Sequence, residues 1–260
     1  MQKIFIIAEV GPNHNGSVYL AKKLINKICK TGADAVKFQL GNPDKVYSQE
    51  AFKADYQKKN DSSKNIKDMS KKIQLSRRDH LELSKYCKKK GITYLCSAFD
   101  IDSLKYLVQK LKIPIVKIPS GEILTTDMLK YLSKFKGKII LSTGMSTLNE
   151  IKISLGILKN KNVTLLHCVS LYPTPLDKVN LNNINLLKKK FNLNVGFSDH
   201  TKGELASLTA AGMGITVLEK HVTLSNKLEG PDHKSSLSVE KFYKLVKKIR
   251  KIEKIIGLNV

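Results

Sequence analysis

Hydrophobic positions in this 260-residue chain come in short runs at regular intervals, each of strand length. The first half holds "KIFIIAEV" (3–10), "DAVKFQL" (34–40), "TYLCSAF" (93–99) and "PIVKIPS" (114–120). The second holds "KIILSTG" (138–144), "VTLLHCV" (163–169), "NVGFSDH" (194–200) and "TVLEKHV" (216–222). Between most of them the apolar residues switch to helical spacing. Examples are "SVYLAKKLINKICKTG" (17–32), "STLNEIKISLGILKN" (146–160) and "SVEKFYKLVKKIRKIEKIIG" (238–257). This alternation is the pattern of βα units, and Gly or Pro marks many boundaries. About eight units in a chain of this length predict a single (β/α)8 TIM barrel over 1–260. A doubly wound open sheet is the alternative, but "AEVGPNHNGS" lacks the Gly-rich phosphate turn expected after its first strand. The stretch 41–75 breaks the rhythm. Polar and lysine-rich, it predicts a long loop over one face, with room for a short helix.

Charge changes this picture little. The net charge is +24, which suits nucleic acid, an anionic surface or an anionic substrate. The lysines, however, alternate with apolar positions along most helical segments, the pattern of solvated helix faces. The start, "MQKIFIIAEVGP", is too short and too acidic at Glu9 for a signal peptide or membrane span. The four cysteines, Cys29, Cys87, Cys96 and Cys168, form no CxxC pair. They read as reduced thiols, mostly buried, in a cytoplasmic protein.

In a barrel the C-terminal strand ends and the loops after them form the active face. Five of the six histidines fall there: His14, His167, His200, His221 and His233, with only His80 on a helix. His200 and His221, from adjacent strand ends, can converge on one divalent cation of the Mn, Fe, Co or Zn type. Glu219 shares the pleat face of His221, Asp199 neighbours His200, and Asp232 follows in "EGPDHKSS". Hydrogen bonding within the rim is the alternative for each histidine. Lys37 and Lys117 interrupt apolar runs, where an unpaired ammonium is costly. Ser97, Ser120, Ser142, Ser170 and Ser198 lie at strand ends around them, and the "STG" and "SGE" turns add backbone amides. Two cations and several hydroxyls on one rim suit a phosphate or carboxylate. The alternative is a pair of structural lysines bridged to Glu9, Glu122 or Glu219.

At these residues the sequence resembles the sialic acid synthase family, which condenses phosphoenolpyruvate with an N-acetylated amino sugar. The matching pieces are "IAEVGPNHNGS", "ADAVKFQ", "KIPSGE", "ILSTGM", "LHCVSLYPTP", "GFSDHT", "LEKHVT" and "GPDHKSS", in order along the chain. The resemblance implies a (β/α)8 catalytic barrel in which His200 and His221 ligate a divalent cation, with Glu219 behind them. The expected ion is Mn2+, with Mg2+ or Co2+ as alternatives. Lys117, Ser120, Ser142, Ser198 and, with a shorter side chain than the family's usual Asn, Ser170 would hold the phosphate. Lys37 and Gln39 would place phosphoenolpyruvate, and Asn60, Glu122, Tyr172 and Asp232 would contact the sugar. Glu9, Lys37 and Asp232 are the catalytic candidates. The expected product is a nine-carbon 2-keto-3-deoxy acid.

Family members usually carry a C-terminal antifreeze-like domain that gives the partner subunit's site an arginine. The chain stops at Val260, so that domain is expected to be absent, or supplied by a separate protein. A homodimer is implied, with no nucleic-acid or membrane partner. "SGE" at 120–122 is nearer the sialic and legionaminic branches than the pseudaminic one. N-acetylmannosamine and 2,4-diacetamido-2,4,6-trideoxymannose are therefore the candidate sugars. Another phosphoenolpyruvate–aldose synthase, or an inactive barrel subunit needing a partner, are the other readings. A phosphorylated aldose would need a second phosphate cradle, and Arg77, Arg78 and Arg250 are the only arginines.

Overall fold

The computed structural model describes residues 3–48, 50–159 and 162–257. Eight parallel strands follow one another around a ring. They are β1 (Phe5–Glu9), β2 (Ala35–Leu40), β3 (Thr93–Ala98), β4 (Ile115–Ile118), β5 (Lys138–Ser142), β6 (Val163–Cys168), β7 (Asn194–Asp199) and β8 (Val217–Thr223). β1 pairs with β8, from Phe5↔Val217 to Glu9↔His221, and this closes the barrel. A two-residue strand, β9 (Leu237–Ser238), which the hydrophobic pattern does not announce, pairs with the end of β8. The predicted (β/α)8 barrel is therefore the observed fold.

Between the strands run α1 (Val18–Ile28), α2 (Pro43–Val46), α3 (Asp55–Asn60), α4 (Ile66–Ile73) and α5 (Arg77–Lys89). The rest are α6 (Ile101–Lys105), α7 (Thr126–Leu132), α8 (Leu148–Leu158), α9 (Asn182–Phe191), α10 (Leu205–Gly212) and α11 (Val239–Ile255). Hydroxyl caps start several of them. Ser17 accepts from Leu20 N, and Ser76 and Thr147 each form a capping box with an acid three residues on. Among the described residues, no helix is long and apolar enough to cross a membrane.

The 41–75 stretch is more ordered than the expected loop, since it holds all of α2, α3 and α4. Asn42 caps α2 ahead of a proline in its first turn, and Asn65 caps α4. Its polar composition correctly indicates little core packing. No residue of α2 or α3 is buried, and α4 buries only Met69 and Ser70.

Side chains alternate in and out along each strand. Outward residues such as Ile6, Val36, Cys96 and Phe197 join the large core beneath the helices. Inward residues Ile7, Ala35, Leu95, Ile140, Leu166 and Val217 fill the barrel floor. Two residues further along the inward faces, the composition becomes polar and mostly charged: Glu9, Lys37, Lys117, Ser198 and Glu219 follow. The apolar floor thus lies directly under the polar site. Gly196 marks a tight point of the barrel floor, since a Cβ there would sit 2.4 Å from Val217 O and 2.6 Å from Leu166 Cδ2.

Backbone cannot yield as a flexible side chain can, so Gly196→Ala should destabilise the chain by about 3 kcal/mol. Urea unfolding followed by circular dichroism measures this. An unchanged midpoint would show that β7 and β8 can separate at no cost.

Candidate active site

The centre of the site is a ladder of paired charges inside the barrel. Lys37 Nζ lies 2.8 Å from Glu9 Oε2 and 3.6 Å from Glu219 Oε2, and donates to Ser97 Oγ at 3.0 Å. Glu9 Oε1 accepts from Gln39 Nε2 at 2.8 Å. Glu219 Oε1 accepts from Ser198 Oγ at 3.0 Å. For Lys37, the carboxylate pairing that its sequence context allows is therefore what the structure has. Lys117 is different. Its ammonium, only 2% exposed, donates to Ser142 Oγ at 2.7 Å and Ile118 O at 3.3 Å. Among the described residues it has no carboxylate within ion-pair distance.

Electrostatics follow from burial and from these neighbours. Burial alone would raise the Glu219 carboxyl, but the ammonium groups of Lys117 and Lys37 more than offset it and hold the group at about 2. Burial pushes Glu9 up to about 7 in spite of Lys37, with the Glu219 charge adding to the rise. Burial pulls Lys117 down. Next to Lys117, Ser120 Oγ accepts from Gly144 N at 3.0 Å and lies 3.2 Å from Cys168 Sγ. A Cβ on Gly144 would come within 2.6 Å of Ser170 Oγ, 2.9 Å of Cys168 Sγ and 2.9 Å of Ser120 Oγ. Lys117, Ser142, Ser120, Ser170 and the Gly144 amide thus converge on one corner of the mouth.

His200 and His221 meet at the opposite side, with ring centroids 5.6 Å apart. His200 Nδ1 donates to Val169 O at 2.7 Å, which leaves the Nε2 lone pair free to accept from Tyr172 Oη at 3.1 Å. Burial lowers His200 to about 4, so the ring is neutral at physiological pH. Burial, the neighbouring imidazole and Lys37 push His221 well below its usual range. His221 Nδ1 is buried with no hydrogen-bond partner, 3.5 Å from Asp232 Oδ2. Neutral imidazoles with available lone pairs fit a borderline divalent cation. Among the described residues no three His, Cys, Asp or Glu side chains form a metal-holding group. His200 and His221 are therefore the two side chains that could hold such an ion.

The remaining candidates divide. Gln39, Tyr172, His221 and Asp232 line a cleft of about 170 Å³ above the ladder. Burial, and then the Glu9 charge, raise Asp232 to about 7. Asn60 and Glu122 are not among the residues lining it. Asn60 Nδ2 donates to Pro231 O at 3.2 Å, and Glu122 Oε2 accepts from Thr125 Oγ1 at 2.5 Å. Asp199 points out of the barrel, 2.9 Å from Lys220 Nζ, and also accepts from Ser207. It braces β7 and β8 against α10 and takes no part in the His200 site. Of the five rim histidines only His200 and His221 converge. His167 faces outward onto Val179 O, and His233 is held by Thr223 and Asn15. His14 lines the cleft, its Nδ1 accepting from Gly16 N.

Two contributors lie outside the sequence-based set. Cys168 is inward, two residues beyond Leu166, so the period of β6 could have placed it. Tyr56, from α3, lies 5.4 Å from Tyr172 in a stacked arrangement. An aromatic residue within a polar lysine-rich run was its only signal.

Comparison with known proteins agrees with this geometry. N,N'-diacetyllegionaminic acid synthase of Campylobacter jejuni is 45% identical over 265 residues, covering 99% of this chain and 78% of that protein. The protein of the same name from Legionella pneumophila is 40% identical, covering 97% and 73%. The crystal structure of N-acetylneuraminic acid (sialic acid) synthetase from Leptospira borgpetersenii superposes with a TM-score of 0.89 at 31% identity. It covers all of this chain and 87% of that one. The NeuB family model matches residues 24–260. With the barrel, the strand-end motifs and this match in agreement, the chain belongs to the NeuB family.

Proposed function

We propose that this protein condenses phosphoenolpyruvate with an open-chain N-acetylated amino sugar, giving a nine-carbon 2-keto-3-deoxy acid and phosphate. The observation that carries the reading is Lys117, a buried ammonium with hydroxyl and carbonyl partners but no carboxylate. Glu219 acts on it only from beyond ion-pair distance and also serves Lys37, so a bound anion would offset a burial cost of the order of several kcal/mol. The phosphate of phosphoenolpyruvate fits beside it, with Ser142, Ser120, Ser170 and the Gly144 amide as further donors, whereas Ser198, on β7, already donates to Glu219 Oε1 and lies 3.3 Å from His200 Nε2. Lys37 and Gln39 are placed to hold the rest of that substrate. The names of the two legionaminic acid relatives favour 2,4-diacetamido-2,4,6-trideoxymannose over N-acetylmannosamine.

In the proposed reaction, C3 of phosphoenolpyruvate forms a bond to the sugar aldehyde carbon, and the aldehyde oxygen takes up a proton. Water then adds at C2, made cationic by loss of the C2=C3 π pair, and gives up one proton. The bond from C2 to the bridging oxygen breaks, phosphate leaves with that oxygen into the Lys117 corner, and the C2 hydroxyl loses its proton to become the keto group. Glu9, fixed by Gln39 and Lys37, faces the interior where C2 becomes electron-poor, so its carboxylate opposes that charge. Asp232, high in the cleft, can hold the proton required at the aldehyde oxygen. A divalent cation, Mn2+ first, on His200 and His221 would supply Lewis acidity at that oxygen. A homodimer, an antifreeze-like partner domain and a cytoplasmic location complete the reading. The free thiols of Cys29, Cys87, Cys96 and Cys168 are consistent with that location.

Phosphate release from phosphoenolpyruvate, assayed with each sugar with Mn2+ or EDTA, tests the reaction. Sugar- and metal-dependent release is expected, faster with the diacetamido sugar. No release with either sugar, with the antifreeze-like domain added in trans, would overturn it.

Lys117→Ala should raise the KM for phosphoenolpyruvate about tenfold or more, the loss of a charge-assisted hydrogen bond. An unchanged KM would move the phosphate site elsewhere. His221→Ala should reduce metal-dependent turnover by about a hundredfold or more, since even outer-shell partners of a metal are worth about 10–100-fold. Its unfolding midpoint should stay within about 4 °C of wild type, because rim residues add little to the core. Full activity with the same metal requirement would remove His221 from the ligand set.

A further inference from the structure

Six residues make α3 too short to be stable by itself, and none of them is buried. Its position is fixed by a few point contacts. Lys53, in a polar surface segment, is only 7% exposed. Its ammonium donates to Asp61 O at 2.6 Å and Ser63 O at 2.8 Å, and lies 3.1 Å from Asp61 Oδ1. Its three protons thus have three acceptors, all from just beyond the far end of α3. Asp61 Oδ1 also accepts from Ser63 N at 2.9 Å. Residues 53–63 form a loop whose two ends are joined by one lysine side chain.

What this loop holds is at the cleft. Tyr56 stacks on Tyr172, whose ring centroid lies 4.1 Å from that of His200. Tyr56 and Gln57 line the cleft together with His221 and Asp232. Gln57 Oε1 reaches back to Ala54 N at 2.9 Å, which orients its amide. Asn60 fastens the other end of α3 to Pro231 O, next to Asp232. The Lys117 corner, by contrast, is built from β4, β5, β6 and the turns after them, and none of its residues lines the cleft with Tyr56 and Gln57.

We propose that residues 53–63 form the sugar-side wall of the cleft, with Tyr56 as a specificity-determining contact to an acetamido group and Lys53 as its positioning residue. This rests on the synthase reading and deepens it. An acetamido substituent has a flat amide and a methyl, and stacked tyrosine rings give such a group an apolar wall with polar edges. Lys53 itself points away from the cleft and acts through the loop it ties.

The test is steady-state kinetics of the full chain with Mn2+ and the diacetamido sugar. Lys53→Met and Tyr56→Ala should each raise the KM for the sugar about tenfold, a misplaced or missing positioning contact. The KM for phosphoenolpyruvate should stay within about twofold, since the uniform binding of that substrate is untouched. Tyr56→Phe keeps the ring and should stay near wild type. The double variant Lys53→Met/Tyr56→Ala should be no worse than either single variant, because both remove the same contact. An unchanged sugar KM in Tyr56→Ala, an equal rise for both substrates in Lys53→Met, or additive losses in the double variant would overturn the proposal. A wild-type chain that releases no phosphate with either sugar, with the antifreeze-like domain added in trans, would overturn the synthase reading itself, and the sugar wall with it.

Discussion

Two ammonium groups inside one closed barrel are the constraint on which the rest of the structure depends. Lys37 and Lys117 are 3% and 2% exposed, and each charge loses its water shell at a cost of several kcal/mol. The fold offsets that cost with Glu9 and Glu219 on neighbouring strands and with Ser97 and Ser142 hydroxyls. Glu219 stays charged between the lysines, while burial raises Glu9 enough to weaken its contribution. The balance is left positive at Lys117, beside an array of hydroxyls and a backbone amide. Such an interior suits an anion.

This arrangement needs rigid placement, and the barrel provides it. Each charged residue sits two positions above an apolar residue of the floor, on a strand hydrogen-bonded on both sides. The functional groups therefore inherit their spacing from strand register, with Glu9 opposite Lys37 and His221, and Ser198 opposite Glu219. The imidazole pair and the phosphate corner lie on different strands, so the two substrates can be held independently. Loops take over only above this level, where the sugar must be discriminated.

Legibility in the sequence follows the same division. Strands buried on both faces read as short apolar runs, so all eight were readable to within two or three residues at their ends. Lys37 and Lys117 were conspicuous because a lysine inside such a run requires an explanation. Chain neighbours were a poorer guide. Asp199 stands beside His200 in the sequence, yet adjacent strand residues face opposite sides, and Asp199 braces the outside of the barrel. His167 was misleading for the same reason. Cys168 shares the inward face but read only as one of several buried thiols. The helices of 41–75 were hidden because they are short and polar: α3 carries no apolar side chain besides Tyr56, and α4 shows only Ile66, Met69 and Ile73 at helical spacing. Asn60, and Glu122 as a sugar contact, came from the resemblance alone, and their partners here are Pro231 and Thr125.

The most direct measurement is a crystal structure of the chain with phosphoenolpyruvate bound. The phosphate should lie within about 3 Å of Lys117 Nζ and the Gly144 amide, at hydrogen-bond distance. The contradictory result is phosphoenolpyruvate bound elsewhere, with Lys117 still donating only to Ser142 and Ile118.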